Sequence, residues 1–314
     1  MNCKLTKNLD GNSSFQWLGE TTWDGEVWLN GDWYKGVWNS GVWLNGDWHT
    51  GEWWGGHWIS GTWHDGKHHN GTWQYGTWEG GTWSSGVWVD GEWHDGDWHE
   101  GVWRGGKWHA GVWHDGTWLG GCWLNGLWRK GTWRLGQWCG GTWYTGSWLG
   151  GDWINGVWCD GEWSTGLWQG GKWKRGEWST GVWHGGEWHD GTWKSGNWHN
   201  GVWFNGAWFN GSWFNGTWNN GHWHNGTWYD GVWQYGTWHN GTWSSGTWLE
   251  GTWKGGKWCS GTWKSGTWCG GEWNSGTWFG GYIMNKHGQL VYSTMNPAEF
   301  RNSTEYHKQN GEQD

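Results

Sequence analysis

One short unit, written fifty times in succession, governs what this chain can fold into. From Gly31 the sequence reads Gly-Asp-Trp-Tyr-Lys, Gly-Val-Trp-Asn-Ser, Gly-Val-Trp-Leu-Asn, and the pattern Gly-x-Trp-x-x continues without insertion or deletion through fifty pentads to Gly280. The Trp column lapses once, at His68 in Gly66-Lys-His-His-Asn. A period this strict describes a repeat architecture, in which each unit buries its large residue against its neighbours.

Within the pentad, x-Trp-x reads as a three-residue strand, with Trp on one side and positions two and four on the other. Thr and Val at position two suit a strand. Positions five and one form the corner. The fold expected first is an all-β, pentad-repeat β-solenoid with four pentads, twenty residues, per coil. Trp33, Trp38, Trp43, Trp103, Trp153, Trp203 and Trp253 then represent the inward core column. Position one also faces inward, and its Gly leaves room for a Trp ring in the same layer. The corner is expected to be a type II turn where position five is Asn or Gly. The alternative is an antiparallel β-meander ribbon of three-residue strands with two-residue hairpin turns. Such turns need positive φ at position five, where Thr50, Thr145, Thr165 and Thr180 resist it. A meander also leaves a stripe of Trp exposed along its length.

Composition supports an array. Gly and Trp number 67 and 53, and aliphatic residues are too few for an ordinary core. The only proline, Pro297, lies outside the pentads, as a backbone that uses every N–H in a ladder requires. The formal charge of −9, from 28 acids and 19 bases, argues against a nucleic-acid-binding surface. Six cysteines show no Cys-x-x-Cys spacing and read as free thiols. No signal-peptide core is expected in Met-Asn-Cys-Lys-Leu-Thr-Lys, and no apolar run reaches membrane-spanning length, so neither nucleic acid nor membrane is expected as a partner.

The chain reads as four segments. Residues 1–30 read as an N-terminal cap with imperfect repeats, and 31–280 as the array. Residues 281–300 read as a C-terminal cap, a hairpin around Asn285–Gly288 and then a short helix started by Asn296-Pro297. Residues 301–314 read as a disordered tail.

The pentad resembles the pentapeptide-repeat family, whose units carry a small residue, a polar residue, a central Leu or Phe and two variable residues. Gly31-Asp32-Trp33-Tyr34-Lys35 matches with Gly as the small residue and Trp as the centre, and the register covers 31–280. The invariant Gly–Trp pair departs from that family's usual pattern. The resemblance implies a solenoid and, for acidic members, mimicry of duplex DNA toward gyrase. Position two here mixes acids with Lys, Thr and Val, so the pentads build no continuous acidic face. Gly41-Val-Trp-Leu-Asn-Gly46 resembles a fragment of the MORN repeat more weakly. In overall texture the chain looks like the Gly-Trp pentad proteins encoded by tailed phages.

Candidate sites are few. Twelve of 17 His occupy position four, an exposed and permissive place. With twenty residues per coil, His94 would stack with His114, His49 with His69 and Cys139 with Cys159. Stacked His can bind a divalent metal, but the same column takes Lys, Arg, Asn and Gln. His68 reads as a tolerated core defect. No nucleophile–base–orienter set and no phosphate loop is visible, so no catalytic residue, cofactor or metal is expected. Phe204, Phe209 and Phe214, at position four of consecutive pentads, are the candidate surface binding residues. The expectation is a non-enzymatic, rigid structural repeat protein, a phage virion or surface-fibre component with virion or surface protein partners. The alternative is a binding module that recognises glycan or a protein partner through exposed aromatics.

Overall fold

The computed structural model describes residues 15–17 and 22–303; the expected tail from 304 onward and most of the expected N-terminal cap lie outside the described residues. The chain divides into two compact units, residues 1–157 and 158–314, and the same coil builds each. The fold is all-β, a parallel β-solenoid. In most pentads the strand is two residues long, positions two and three, as in Asp47–Trp48 and Thr72–Trp73, so the expected three-residue strand is shortened by one.

In the first unit Asp47 pairs with Thr62 and Trp48 with Trp63, and these pair in turn with Thr77 and Trp78, always in parallel. In the second unit Thr192 pairs with Ala207 and Trp193 with Trp208. Within the perfect pentads of each unit the partner is fifteen residues away. The expected four-pentad coil is therefore corrected: the solenoid has three sides and three pentads per coil. The physical reason lies in the indoles. Within each unit Trp stacks on the Trp one coil on, as Trp73 does on Trp88 at 4.8 Å between centroids and 8° between planes, with His68 standing in for one of them. Each also meets the next Trp along the chain edge to face, as Trp88 meets Trp93 at 6.0 Å and 76°. Both are favoured aromatic geometries. Three indoles fill the triangle, stacked along the axis and edge to face around it, with the Trp column buried. Trp33, Trp38, Trp43, Trp103, Trp153, Trp203 and Trp253 are all 0% exposed.

The backbone closes the coils. Glu52 N–H donates to the Gly36 carbonyl at 2.9 Å and Trp54 N–H to the Trp38 carbonyl at 2.7 Å, and this pair of bonds recurs along both units. Trp258 Nε1 donates to the Ser275 carbonyl and Trp278 Nε1 to the Ser293 carbonyl, at 3.1 and 3.0 Å. Further from the end, indole N–H groups such as those of Trp73, Trp88 and Trp103 have no oxygen or nitrogen acceptor. Their contact with the next ring is edge-on, the arrangement in which an aromatic edge meets a π-face.

Position-one Gly is where the chain turns. Gly151 has φ 108°, and a Cβ there would lie 2.5 Å from the Gly136 carbonyl oxygen. The requirement for Gly is both conformational and steric: the nearest obstacle is the backbone of the adjacent coil, and at other corners, such as Gly156, the indoles of Trp138 and Trp153 also crowd the added Cβ, at 3.1 and 3.3 Å. No described residue other than Gly has positive φ. Position five is therefore ordinary extended or helical-side backbone, not the third residue of a type II turn, and its Thr residues carry no strain. Asp and Asn are frequent there because their side chains accept from the following Gly N–H, as Asp65 Oδ1 does from Gly66 at 2.7 Å and Asn70 Oδ1 from Gly71 at 2.8 Å.

The ladder runs past the perfect pentads at both ends. Thr22–Trp28 pairs in parallel with Val37–Trp43, setting Trp23 beside Trp38 and Trp28 beside Trp43, with a register shift around Asp24–Glu26. In the second unit Tyr282 and Ile283 pair with Thr267 and Trp268, so a buried Ile occupies a Trp place. Gly281–Met284 then pairs antiparallel with Leu290–Ser293, the one antiparallel pairing among the described residues. The helix Pro297–Arg301 comes next, capped by the Asn296 side chain, which accepts from Ala298 and Glu299 N–H, with Phe300 buried.

Candidate functional site

With Trp inside, positions two and four point outward, and each forms columns that repeat every fifteen residues. The position-four rings stack as the inner ones do. His49 lies between Tyr34 and His64, at 4.4 and 4.9 Å. His94 stacks on His109 at 4.5 Å, His99 on His114 at 4.5 Å, His184 on His199 at 5.0 Å and His224 on His239 at 4.8 Å. The expected pairings at twenty residues are corrected: His114 stacks with His99 and not His94, and His69 stacks on Trp54 at 4.0 Å and not on His49. Nor does a fifteen-residue register support the ladder disulfide between Cys139 and Cys159; both are free thiols. Burial, then the neighbouring Cys122, pushes the Cys139 thiol up.

Opposite charges also meet at this spacing. Glu92 pairs with Lys107 at 3.4 Å, Asp115 with Lys130 at 2.9 Å, Asp160 with Arg175 at 2.9 Å and Lys172 with Glu187 at 3.5 Å. Each is solvent-exposed and contributes little singly.

The three candidate phenylalanines do not come together. They stand next to Trp203, Trp208 and Trp213, which belong to three different sides of the coil, with ladder partners Trp188 and Trp218, Trp193 and Trp223, and Trp198 and Trp228. Phe204 stacks on His189 at 4.7 Å and Phe209 on His224 at 4.6 Å. Phe214 is held between His199 at 4.8 Å and Tyr229 at 5.0 Å. They are 39%, 46% and 37% exposed. What Phe214 offers to solvent is a ring edge, because both faces are covered.

The densest group of ligating atoms, which the sequence reading missed, is Glu92, His94 and His109. Glu92 and His94 are positions two and four of one pentad, and His109 is position four one coil on. Glu92 Oε2 lies 3.7 Å from Nε2 of each imidazole. One potential ligand atom from each residue lies within 4.8 Å of the others. His109 Nε2 is buried and has no hydrogen-bond partner. Beside Glu92 is a shallow depression lined by Tyr75, Asp90 and Lys107.

His68 is fully inside. It stacks on Trp83 at 3.8 Å and lies 6.1 Å from Trp53, so the imidazole sits nearer one neighbour in a space shaped for an indole. Desolvation, reinforced by His69, lowers its pKa to about 3, so it is neutral at physiological pH. Burial and neighbouring positive charge also lower His199, His224 and His239, with His184, His222 and Lys254 as the respective leading charges.

No known protein-family model matches the chain, and no curated protein matches it either. Among solved structures it is similar to a crystal structure of a proposed acetyltransferase from Desulfovibrio desulfuricans G20, at 4% identity and a TM-score of 0.13, over 69% of this chain and 64% of that one. At that TM-score the likeness carries no argument. The chain thus stands as a pentad-repeat β-solenoid with a tryptophan core.

Proposed function

We propose that the chain is a non-enzymatic structural repeat protein, used as a rigid element of a phage virion or surface fibre. The observation that supports this reading is the indole stacking within each unit, broken among the described residues only where His68 replaces a Trp, a close-packed core that gives stiffness. Candidate acids, bases and nucleophiles stand on repeated outward columns rather than converging in a concave pocket, the opposite of the setting catalysis uses. The phage placement rests on the resemblance of the Gly-Trp pentads to proteins encoded by tailed phages. In that setting its partners are virion or surface proteins. Its test is fractionation of a producing culture: the chain is expected to copurify with particles through density banding, and recovery only in the particle-free fraction would overturn the assignment.

The second reading, recognition of a glycan or protein partner through exposed aromatics, retains the exposure of Phe204, Phe209 and Phe214 as its support. Sugar rings dock on aromatic faces, and the stacked columns present mainly edges. A glycan-array signal that disappears in the Phe204→Ser/Phe209→Ser/Phe214→Ser variant would favour it.

A further inference from the structure

We infer that Glu92, His94 and His109 form a binding site for one divalent transition-metal ion, with zinc as the reference ion. Two imidazole nitrogens and one carboxylate oxygen are a donor set suited to zinc, copper, nickel or cobalt, and poorly suited to magnesium or calcium. The fold places them without any special loop. Positions two and four of one strand share a face, and the ladder brings the next position four directly alongside. The His94 and His109 rings are 4.5 Å apart and nearly parallel, at 1°. Both Nε2 atoms already face the same carboxylate oxygen at 3.7 Å. Zinc–nitrogen and zinc–oxygen bonds of about 2.0–2.2 Å need ligand atoms roughly 3.3 Å apart. Both rings must turn toward Glu92 and toward each other, because their ligand atoms now lie within 4.8 Å of one another rather than at the roughly 3.3 Å that a bound zinc needs. His109 Nε2, buried and without a hydrogen-bond partner, is left with a lone pair that the ion would take up. The remaining coordination positions face solvent and are filled by water.

Three comparisons within the chain sharpen the assignment. Lys107 Nζ sits 3.4 Å from the other oxygen of Glu92, and its charge opposes a cation. Asp97, His99 and His114 repeat the pattern, but the shorter Asp reaches only His114, at 3.5 Å. Glu187 and His189, 3.1 Å apart, repeat the first half, but Phe204 stands where the second imidazole would be. The site lies outside the Trp core, so folding does not depend on its occupancy.

The test is calorimetric titration of the untagged full chain with Zn²⁺ at neutral pH, with circular dichroism confirming that every variant is folded. Wild type is expected to take up one ion tightly. His109→Asn is expected to abolish that binding step, Glu92→Gln to weaken it tenfold or more, and Lys107→Gln to tighten it several-fold. Phe204→His is expected to add a second site of similar type. Co²⁺ substitution is expected to give ligand-field absorption that vanishes in His109→Asn. Equal zinc uptake by wild type and His109→Asn, which would mean diffuse binding across the surface histidines, overturns the proposal, and so does the absence of a tight step in wild type.

Discussion

The inner and outer columns of this solenoid share one spacing and obey different rules. Inside, Trp succeeds Trp at about the same 4.8 Å in both units, as in Trp88 on Trp103 and Trp213 on Trp228. Outside, the same ladder carries Tyr34, His49 and His64 in one run and Phe214 and Tyr229 in another. The inner residues have neighbours on every side and no water, so any change of size is felt. The outer residues have one wet flank, which absorbs differences of size and charge. The core thus enforces the pentad, while only the outer columns record which pentads are neighbours.

Deletions separate the two most sharply. Removing three residues from the middle of the second unit leaves a broken pentad that puts the later Trp residues out of phase with the earlier ones, and is expected to uncouple the two parts into separate, lower thermal transitions. Removing 171–185, a whole coil, should leave a folded protein that loses only the outer pairs with a member in the deleted coil, such as Asp160 with Arg175 and Lys172 with Glu187. Removing 171–190, twenty residues, should also fold, because every pentad serves any side of the coil, but the outer residues of the coils that meet at the cut then have new column neighbours, while pairs further on, such as Phe214 with Tyr229, are kept. A twenty-residue deletion that melts like the three-residue one would show that the sides are not equivalent.

The next largest effect belongs to the corner. Gly151→Ala forces a side chain into positive φ and against the Gly136 carbonyl, and a loss of about 3 kcal/mol or more is expected in denaturant unfolding. Because the obstacle is backbone, a nearby Trp→Phe change should not rescue it. Rescue would return the ring to the role of obstacle.

His68 tests the core from the other direction. His68→Trp should stabilise by about 2 kcal/mol by filling the indole-shaped space. The gain should depend on pH. The unfolded chain protonates His68 near pH 6.5, while the folded chain holds it neutral down to about 3. Wild type therefore loses stability as pH falls from 6.5 toward 3, and the margin of the Trp variant should widen by about 2 kcal/mol more at pH 5. A margin independent of pH would mean that the imidazole is protonated in place. The smallest effect is expected outside: Phe204→Ser should cost under about 1 kcal/mol in the same assay, the value of one exposed stack.

Much of the fold was legible in the sequence because it resides in the invariant positions. Gly and Trp at fixed places gave the strand, the inward face and the corner. The number of sides was not legible there, since identical pentads carry no mark of which side they form. The signal lay in the variable positions: Glu92 and Lys107, Asp115 and Lys130, Asp160 and Arg175, and Lys172 and Glu187 are complementary charges fifteen apart. His94 and His109 share that spacing, so the metal-ligating cluster was hidden by the same miscount that paired His94 with His114. Phe204, Phe209 and Phe214 looked like one patch because they occupy adjacent pentads, while a three-sided coil sends consecutive pentads to three different sides.

The near-parallel indoles have an optical consequence. Chromophores held face to face at van der Waals distance share their excited states, so light absorbed by one ring can pass to the next along a column rather than leave from where it arrived. Hops along a column of near-parallel rings keep the polarisation, whereas hops to an edge-on neighbour, as from Trp88 to Trp93 at 76°, lose it, so fluorescence depolarisation should report transfer between sides and vanish on unfolding. His68 interrupts one such line between Trp53 and Trp83, so the imidazole that loosens the core also acts as an insulator in it.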